Sequence, residues 1–310
     1  MPVHHAPEGR FIPGGNGLGV IHAVGSEVWH LKAGQRVVIS SHFVAQENVA
    51  NPAQILIGVT AAGAVAERVQ ADWRNGTLAD YALLPASTVT PVDDCLDIDA
   101  ARLAVSMRYV VPCGGLLRGR LAAGETVVVS GATGAYGTAA VLLAVAMGAA
   151  RVIAVGRNAA ALDALAEAGR GRVTPVAATG DSAADADMIR ATAHGGADMA
   201  FDMVGGARDP NMTLAALRSL VPGGRLVLMG SMAVPLPLPY TEVMVNSWEI
   251  LGQFMYPRAA YRRLLALIGT GALDMSAIRP VTFPLHALPD AIERAAAAGN
   301  FECVVIEHHE

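Results

Sequence analysis

Residues 126–140 read TVVVSGATGAYGTAA. A short β-branched run ends in Gly131, Gly134 and Gly137, three glycines at equal spacing, and small apolar residues resume behind them. A strand that breaks into glycines and restarts as a helix is the setting in which such a loop holds a dinucleotide. The first glycine permits the tight turn, the second lets the backbone approach a pyrophosphate, and the third lets the helix pack close to the strand. Unpaired N–H groups of the first helical turn then face the phosphates. The candidate contacts are Gly131, Thr133, Gly134, Ala135, Tyr136 and Gly137. No lysine follows the last glycine, so a nucleoside-triphosphate loop is excluded on chemistry.

The pattern repeats outward from this loop. ETVVVSG, ARVIAVG, GRVTPVA, ADMAFDMV, GRLVLMG and SWEILGQFM are candidate strands, and alanine-rich helical stretches lie between them. Repeated βα units give a parallel sheet covered on both faces, and the strands read as continuous apolar runs because both faces are buried. The expected fold class is therefore α/β, with a doubly wound parallel sheet. At the end of the second strand an NAD site carries an acidic residue for the ribose 2′-hydroxyl. This chain has Gly156, Arg157 and Asn158 there. Nothing in that trio repels a 2′-phosphate and Arg157 can pair with it, so the expected cofactor is NADP(H).

Composition narrows the partners. The 310 residues carry a net charge of −5, with 16% charged and 53% hydrophobic residues. Scattered Lys and Arg leave no footprint for nucleic acid or an anionic membrane, so a small-molecule substrate is expected. Cys95, Cys113 and Cys303 are far apart and fit neither a disulfide framework nor a CxxC metal site, which favours a reducing cytoplasm. The N-terminal MPVHHAPEGRF lacks the apolar core of a secretory signal. The apolar stretch 138–156 contains Gly148 and Arg151 and changes period partway, as a buried helix followed by a buried strand would.

The first ninety or so residues read as mostly β. LGVIHAVGSEV, GQRVVISS, TLADYALLPAS and STVTPV are short strand-like pieces between Gly, Pro and Asn turns, without long helical periods. The last stretch, 279–310, reads as strand, helix and strand, expected to return to the N-terminal part. The resulting division is 1–95 with 275–310 as one domain and 96–274 as the dinucleotide-binding domain.

These residues carry a resemblance to the medium-chain dehydrogenase/reductase superfamily. Besides GATGAYG, the matching stretches are PGGNGLGVIHAVGSEV with LKAGQRV, then GTLADYALLPA, FDMVGG and VPGGRLVLMGS. The resemblance implies a chaperonin-10-like catalytic domain beside a Rossmann domain. It also implies cofactor contacts at Val204, Gly230, Ser231 and Gln253, at the ends of the fourth, fifth and sixth strands. The zinc alcohol dehydrogenase branch has Gly-His-Glu where this chain has Gly14, Gly15 and Asn16, so glycine replaces the histidine ligand. The branch's second cysteine ligand falls near Met107, with Cys113 several residues away, and residues 41–75 hold no cysteine for the structural zinc lobe. The chain thus resembles the zinc-free branch of quinone oxidoreductases and enoyl reductases, with no metal site expected. The segment bearing the family's first zinc-ligand position lies upstream of the first residue here.

Other chemistry-bearing residues are sparse. His4, His5, His308 and His309 are expected to be solvated. Ser41 and His42 are candidates for a proton relay, against the plainer reading of turn formers. Tyr109, in the segment resembling the family's nicotinamide-facing helix, is a candidate acid or plain packing. The function expected is zinc-independent hydride transfer between NADP(H) and a carbonyl, enone or quinone. The alternatives are a nucleotide-binding sensor or structural protein with little turnover, and then a zinc alcohol dehydrogenase. SWEILGQFMYP, the last strand of a 3-2-1-4-5-6 sheet, would be an apolar open edge, and a homodimer through that edge is expected.

Overall fold

Val127 and Val129 turn to one face of a parallel sheet while Val128 turns to the other, and all three are fully buried. The computed structural model describes residues 4–45, 48–93 and 96–308, so Cys95 and His309 lie outside the described residues. The first part contains β1 (His4–His5), β2 (Gly17–Val20), β3 (Arg36–Ile39), β4 (His42–Ala45), β5 (Ala53–Leu56), β6 (Thr60–Ala62), α1 (Ala64–Asp72) and β7 (Val89–Pro91). The order β1-β6-β5-β4 forms one antiparallel sheet and β2-β3-β7 another. Two helices, α2 (Ala100–Ala104) and α3 (Ser106–Arg118), lead into the second part.

There the chain alternates as expected: β8 (Thr126–Ser130), α4 (Ala135–Ala146), β9 (Arg151–Gly156), α5 (Ala159–Ala168), β10 (Val173–Ala177), α6 (Ser182–Thr192), β11 (Ala197–Asp202), α7 (Asn211–Arg218) and β12 (Leu220–Leu228). It continues through α8 (Tyr240–Val245), β13 (Glu249–Gly252) and α9 (Ala260–Gly269). The six strands are parallel in the order β10-β9-β8-β11-β12-β13, the 3-2-1-4-5-6 arrangement of a doubly wound fold. Two apolar clusters lie on its two faces. One packs Val127, Val129, Met199 and Phe201 with α3, α4 and α9; the other packs Val128, Ile153, Ala200 and Leu226 with α6 and α7. Continuous apolar strands are the consequence.

Helix α4 is apolar all round because it is buried from Gly137 to Val145, which accounts for the hydrophobic stretch that starts at 138. Among the described residues no helix is long and apolar enough to cross a membrane. The chain ends with β14 (Arg279–Pro284), α10 (Leu288–Ala297) and β15 (Glu302–Glu307). The two strands pair in parallel with each other rather than joining either N-terminal sheet. Arg102 binds the carbonyls of Met275 and Ile278 at 3.2 Å, which holds the start of this unit against α2. Buried Cys303 shares a core with Val38 and Val92 of the N-terminal part.

Two sequence expectations need correction. TLADYALLPAS forms no strand: residues 77–85 run as an irregular segment in which Tyr81 and Leu83 stand 71% and 82% exposed. No strand lies beside it to complete a ladder among the described residues. Helix α1 was not expected in the mostly β part. It is short and alanine-rich, burying only Ala66 and Gln70, so its helical period is weak in the sequence. His308 is exposed, with its Nδ1 3.6 Å from the exposed Asp80. His5 is exposed, with its backbone paired in β1.

Candidate functional site

Gly131 adopts φ +72°, a conformation few residues other than glycine take up. A Cβ there would lie 2.9 Å from the Met203 carbonyl group and the Val204 nitrogen, so the turn passes directly against the end of β11. At Gly137 a Cβ would fall 2.0 Å from the Gly131 carbonyl oxygen, which is why the helix can begin so near its strand. Gly134 is the residue before α4, exposed and without a side-chain cap. The first N–H groups of the helix are left for a ligand, and their dipole favours a phosphate. Ala135 and Thr133 are half-buried beside it, and Tyr136 is exposed with the Arg108 guanidinium 6.0 Å from its ring centre.

The neighbouring strand ends converge on this loop. Asp202, at the end of β11, accepts hydrogen bonds from Ser130 Oγ at 3.0 Å, Val204 N at 3.1 Å and Thr213 Oγ1 at 3.0 Å. Val204 then accepts from Ser231 N at 2.9 Å, Gly230 N donates to the Asp202 carbonyl at 2.9 Å, and Ser231 Oγ accepts from Gly206 N at 2.8 Å. The three residues Val204, Gly230 and Ser231 are thereby tied into one rim. Gln253 N bonds Leu228 O at 3.1 Å beyond the next strand.

Asp202 itself was absent from the sequence reading, although the quoted FDMVGG contains it. Burial raises its carboxyl above the usual range, and the three hydrogen bonds only partly oppose this. A raised folded-state value means that stability is fully present below the unfolded carboxylate value near 3.9 and declines as pH rises through the folded value. Asp202→Asn should remove that decline while keeping the loop, because the Thr213 hydroxyl can turn to accept from the new amide. Melting curves from pH 4 to 8 test this, and an unchanged pH slope would refute it.

At the end of β9, a Cβ on Gly156 would meet Thr133 at 2.8 Å, so the glycine lets the loop seat against the strand. Arg157 is exposed and has no partner among the described residues. Asn158 caps α5 by accepting from Ala161 N at 3.1 Å, which commits its side-chain oxygen to the helix.

Across the cleft the N-terminal part contributes a polar wall. His42 Nδ1 lies 3.1 Å from the Tyr256 carbonyl and Nε2 lies 3.0 Å from Gln54 Oε1. A backbone carbonyl only accepts, so Nδ1 donates there, and Nε2 can then accept only from the Gln54 amide turned to present its nitrogen. The ring stands edge-on to Phe254 at 5.7 Å, next to Gln253, so the structure brings the relay candidate to the last cofactor strand. Ser41 does not contact the imidazole by any described hydrogen bond; both its N–H and its hydroxyl go to Asn16 Oδ1, at 2.8 and 3.0 Å. Tyr256 Oη donates to the same oxygen at 3.1 Å and pairs with Ser40 Oγ at 2.9 Å. Burial pushes this phenol up to about 12, so it stays protonated. Ser40, His42, Thr88, Tyr256 and Tyr261 help to line a cavity of about 30 Å³ behind the wall, enough for about two waters.

Tyr109 lies elsewhere. It is fully buried and its hydroxyl has no hydrogen-bond partner among the described residues; burial, with Asp274 nearby, raises its ionisation far above the ordinary value. It packs in the core and does not line the cleft. Cys113 is likewise buried and its thiol is pushed up to about 11.

The described residues contain no grouping of three His, Cys, Asp or Glu side chains able to hold a metal. At Gly15 there is no donor atom, and a Cβ there would already press on Ser41 Cβ at 3.3 Å. The hydroxyls and amide around it are a poor donor set for zinc, which favours thiolate, imidazole and carboxylate.

Fold and cleft together define a two-part dinucleotide-binding protein. Residues 1–94 match the alcohol dehydrogenase GroES-like domain, and residues 135–270 match the zinc-binding dehydrogenase domain. The chain belongs to the alcohol dehydrogenase-like, medium-chain dehydrogenase/reductase superfamily of oxidoreductases. It is 25% identical to the sorbitol dehydrogenase of Bacillus subtilis over 315 residues, covering 98% of this chain and 82% of that protein. It is 28% identical to the L-threonine 3-dehydrogenase of Anaeromyxobacter sp. (strain K) over 211 residues, 66% of this chain and 56% of that protein, so this match spans little more than half of that relative. The alcohol dehydrogenase of Thermus sp. ATN1 shares the fold with a TM-score of 0.74 at 22% identity, over 94% of this chain and 82% of that one.

Proposed function

We propose that the chain is a zinc-independent oxidoreductase that transfers a hydride between NADP(H) and a carbonyl, enone or quinone. The observation that carries the metal-free part is the cleft wall: Gly15 has no side chain to offer, and the amide of Asn16 and the hydroxyl of Ser41 are bonded to each other. A bound nicotinamide supplies the hydride. The loop from Gly131 to Gly137 holds the pyrophosphate, and Val204, Gly230, Ser231 and Gln253 support the nicotinamide end. Neutral donors polarise an acceptor less than a metal does, so an acceptor that delocalises the added charge, an enone or a quinone, suits the site best. His42, with Nδ1 anchored on Tyr256 and Nε2 toward Gln54, is the member placed to relay a proton.

NADPH oxidation with a panel of enones, quinones and simple aldehydes tests the reading, alongside NADPH fluorescence on binding. Binding without turnover on any acceptor would replace it with a nucleotide sensor. Elemental analysis should find no stoichiometric zinc, and a chelator should leave the melting temperature unchanged; one zinc per chain would defeat the metal-free part.

The NADP(H) preference rests on the exposed, unpartnered Arg157 beside Gly156. Arg157→Ala should weaken NADPH by about 1–3 kcal/mol and spare NADH, because a charge-assisted bond to the 2′-phosphate is lost. Titration calorimetry reads this, and equal wild-type affinities for the two cofactors would refute it. The same reading assigns 1–95 with 275–310 to catalysis and 96–274 to the cofactor. It places the chain in a reducing cytoplasm, supported by free thiols at Cys113 and Cys303. It pairs two copies through β13.

A further inference from the structure

We infer that Asn16 is a catalytic hydrogen-bond donor, its side-chain amide polarising the carbonyl oxygen of the hydride acceptor; the inference rests on the oxidoreductase reading above. Three donors converge on Asn16 Oδ1: Ser41 N at 2.8 Å, Ser41 Oγ at 3.0 Å and Tyr256 Oη at 3.1 Å. A backbone N–H can only donate, so the atom facing Ser41 must be the oxygen, and the orientation of the amide is settled. An sp² oxygen has two lone pairs, and three donors saturate it. The side chain is therefore locked, from one side by the strand end at Ser41 and from the other by Tyr256.

What this locking leaves is Nδ2, with two N–H donors and no acceptor among the described residues. Tyr109 Oη is the one fully buried side-chain polar atom without a partner among the described residues, so the Asn16 amide nitrogen reaches solvent. It lies one residue along the chain from Gly15 and within one hydrogen bond of Tyr256, three residues past Gln253. An oriented, unspent donor pair at a hydride cleft has the form of an oxyanion hole, because no reorganisation is needed when charge develops on oxygen. In net terms an enone gains a hydride at its β-carbon and a solvent proton at its α-carbon. Its C=C pair becomes C–H bonding while NADPH becomes NADP⁺, and the negative charge held on oxygen between the two additions is what Asn16 would stabilise.

Asn16→Asp separates this role from a structural one. The carboxylate retains an oxygen for the Ser41 and Tyr256 donors but turns the unspent N–H pair into an acceptor. With the full chain, NADPH and 2-cyclohexen-1-one, kcat should fall about 10²–10³-fold. NADPH affinity and melting temperature should stay near the wild-type values. The infrared carbonyl band of 2-cyclohexen-1-one bound with NADP⁺ should be red-shifted in the wild type and return toward the free value in the variant. A variant kcat within about threefold of wild type would overturn the inference, as would an unshifted wild-type band or a parallel loss of NADPH affinity and melting temperature. If the wild type binds NADPH but turns over no acceptor, the oxidoreductase reading fails, and the infrared comparison alone then decides whether Asn16 polarises a carbonyl.

Discussion

Gly137→Val is expected to abolish measurable NADPH binding and to lower the melting temperature. The added Cβ would sit 2.0 Å from the Gly131 carbonyl oxygen and 2.9 Å from Ala132 Cα, both backbone atoms that no rotamer change can move aside. Either α4 shifts off β8 or the loop opens, and the strain of such overpacking is about 3 kcal/mol, which at this chain length is roughly 5–10 °C in melting temperature. The N–H groups that would face the pyrophosphate move with the helix, so binding should fall by well over a hundredfold. Gly134→Ala is the informative contrast. Its Cβ would meet only the Gly131 oxygen at 3.3 Å, and its φ of −82° suits any residue. The fold should then survive with an unchanged melting temperature, while the methyl group stands where the second glycine lets a pyrophosphate approach. Calorimetric titration beside differential scanning measures both effects, and a Gly137→Val protein that binds NADPH like the wild type would remove the loop from the cofactor site.

The second large effect concerns assembly. Strand β13 ends the six-stranded sheet, with Glu249 and Gly252 exposed and Ile250 and Leu251 half-buried. Tyr240, Met244 and Val245 of the preceding α8 are 79%, 59% and 70% exposed, and Phe254 beyond the strand is 45% exposed. An open edge flanked by large apolar side chains is an aggregation hazard unless something pairs with it. Two copies meeting about a two-fold axis would bury both edges at once. Light scattering on a sizing column should report about twice the 31.9 kDa chain mass, and Ile250→Lys should halve it or cause aggregation. A monodisperse wild-type monomer at micromolar concentration would exclude the pairing.

The parallel sheet was legible because its cause is local. Burial on both faces demands apolar residues at every strand position, and Val127, Val128 and Val129 satisfy both faces in turn. The glycine loop was legible for a similar reason, since spacing alone places Gly131 at a turn and Gly137 at a close packing point. The N-terminal half was less so. TLADYALLPAS is a short apolar stretch between turn residues, but a strand exists only where a partner supplies the ladder, and the sequence does not encode partners locally.

The cleft wall shows the same division. The sequence determined that Gly15 supplies no ligand, that Arg157 stands in place of an acid, and that the cofactor half is a doubly wound α/β domain. Only the tertiary structure could decide which of the polar candidates meet. It buried Tyr109, set His42 against Phe254 and Tyr256, and joined Asn16 to Ser41 and Tyr256, residues 25 and 240 positions away. Periodicity and motif spacing report interactions between near neighbours along the chain, whereas a hydrogen bond across 240 residues depends on how two distant parts of the chain come to rest against each other.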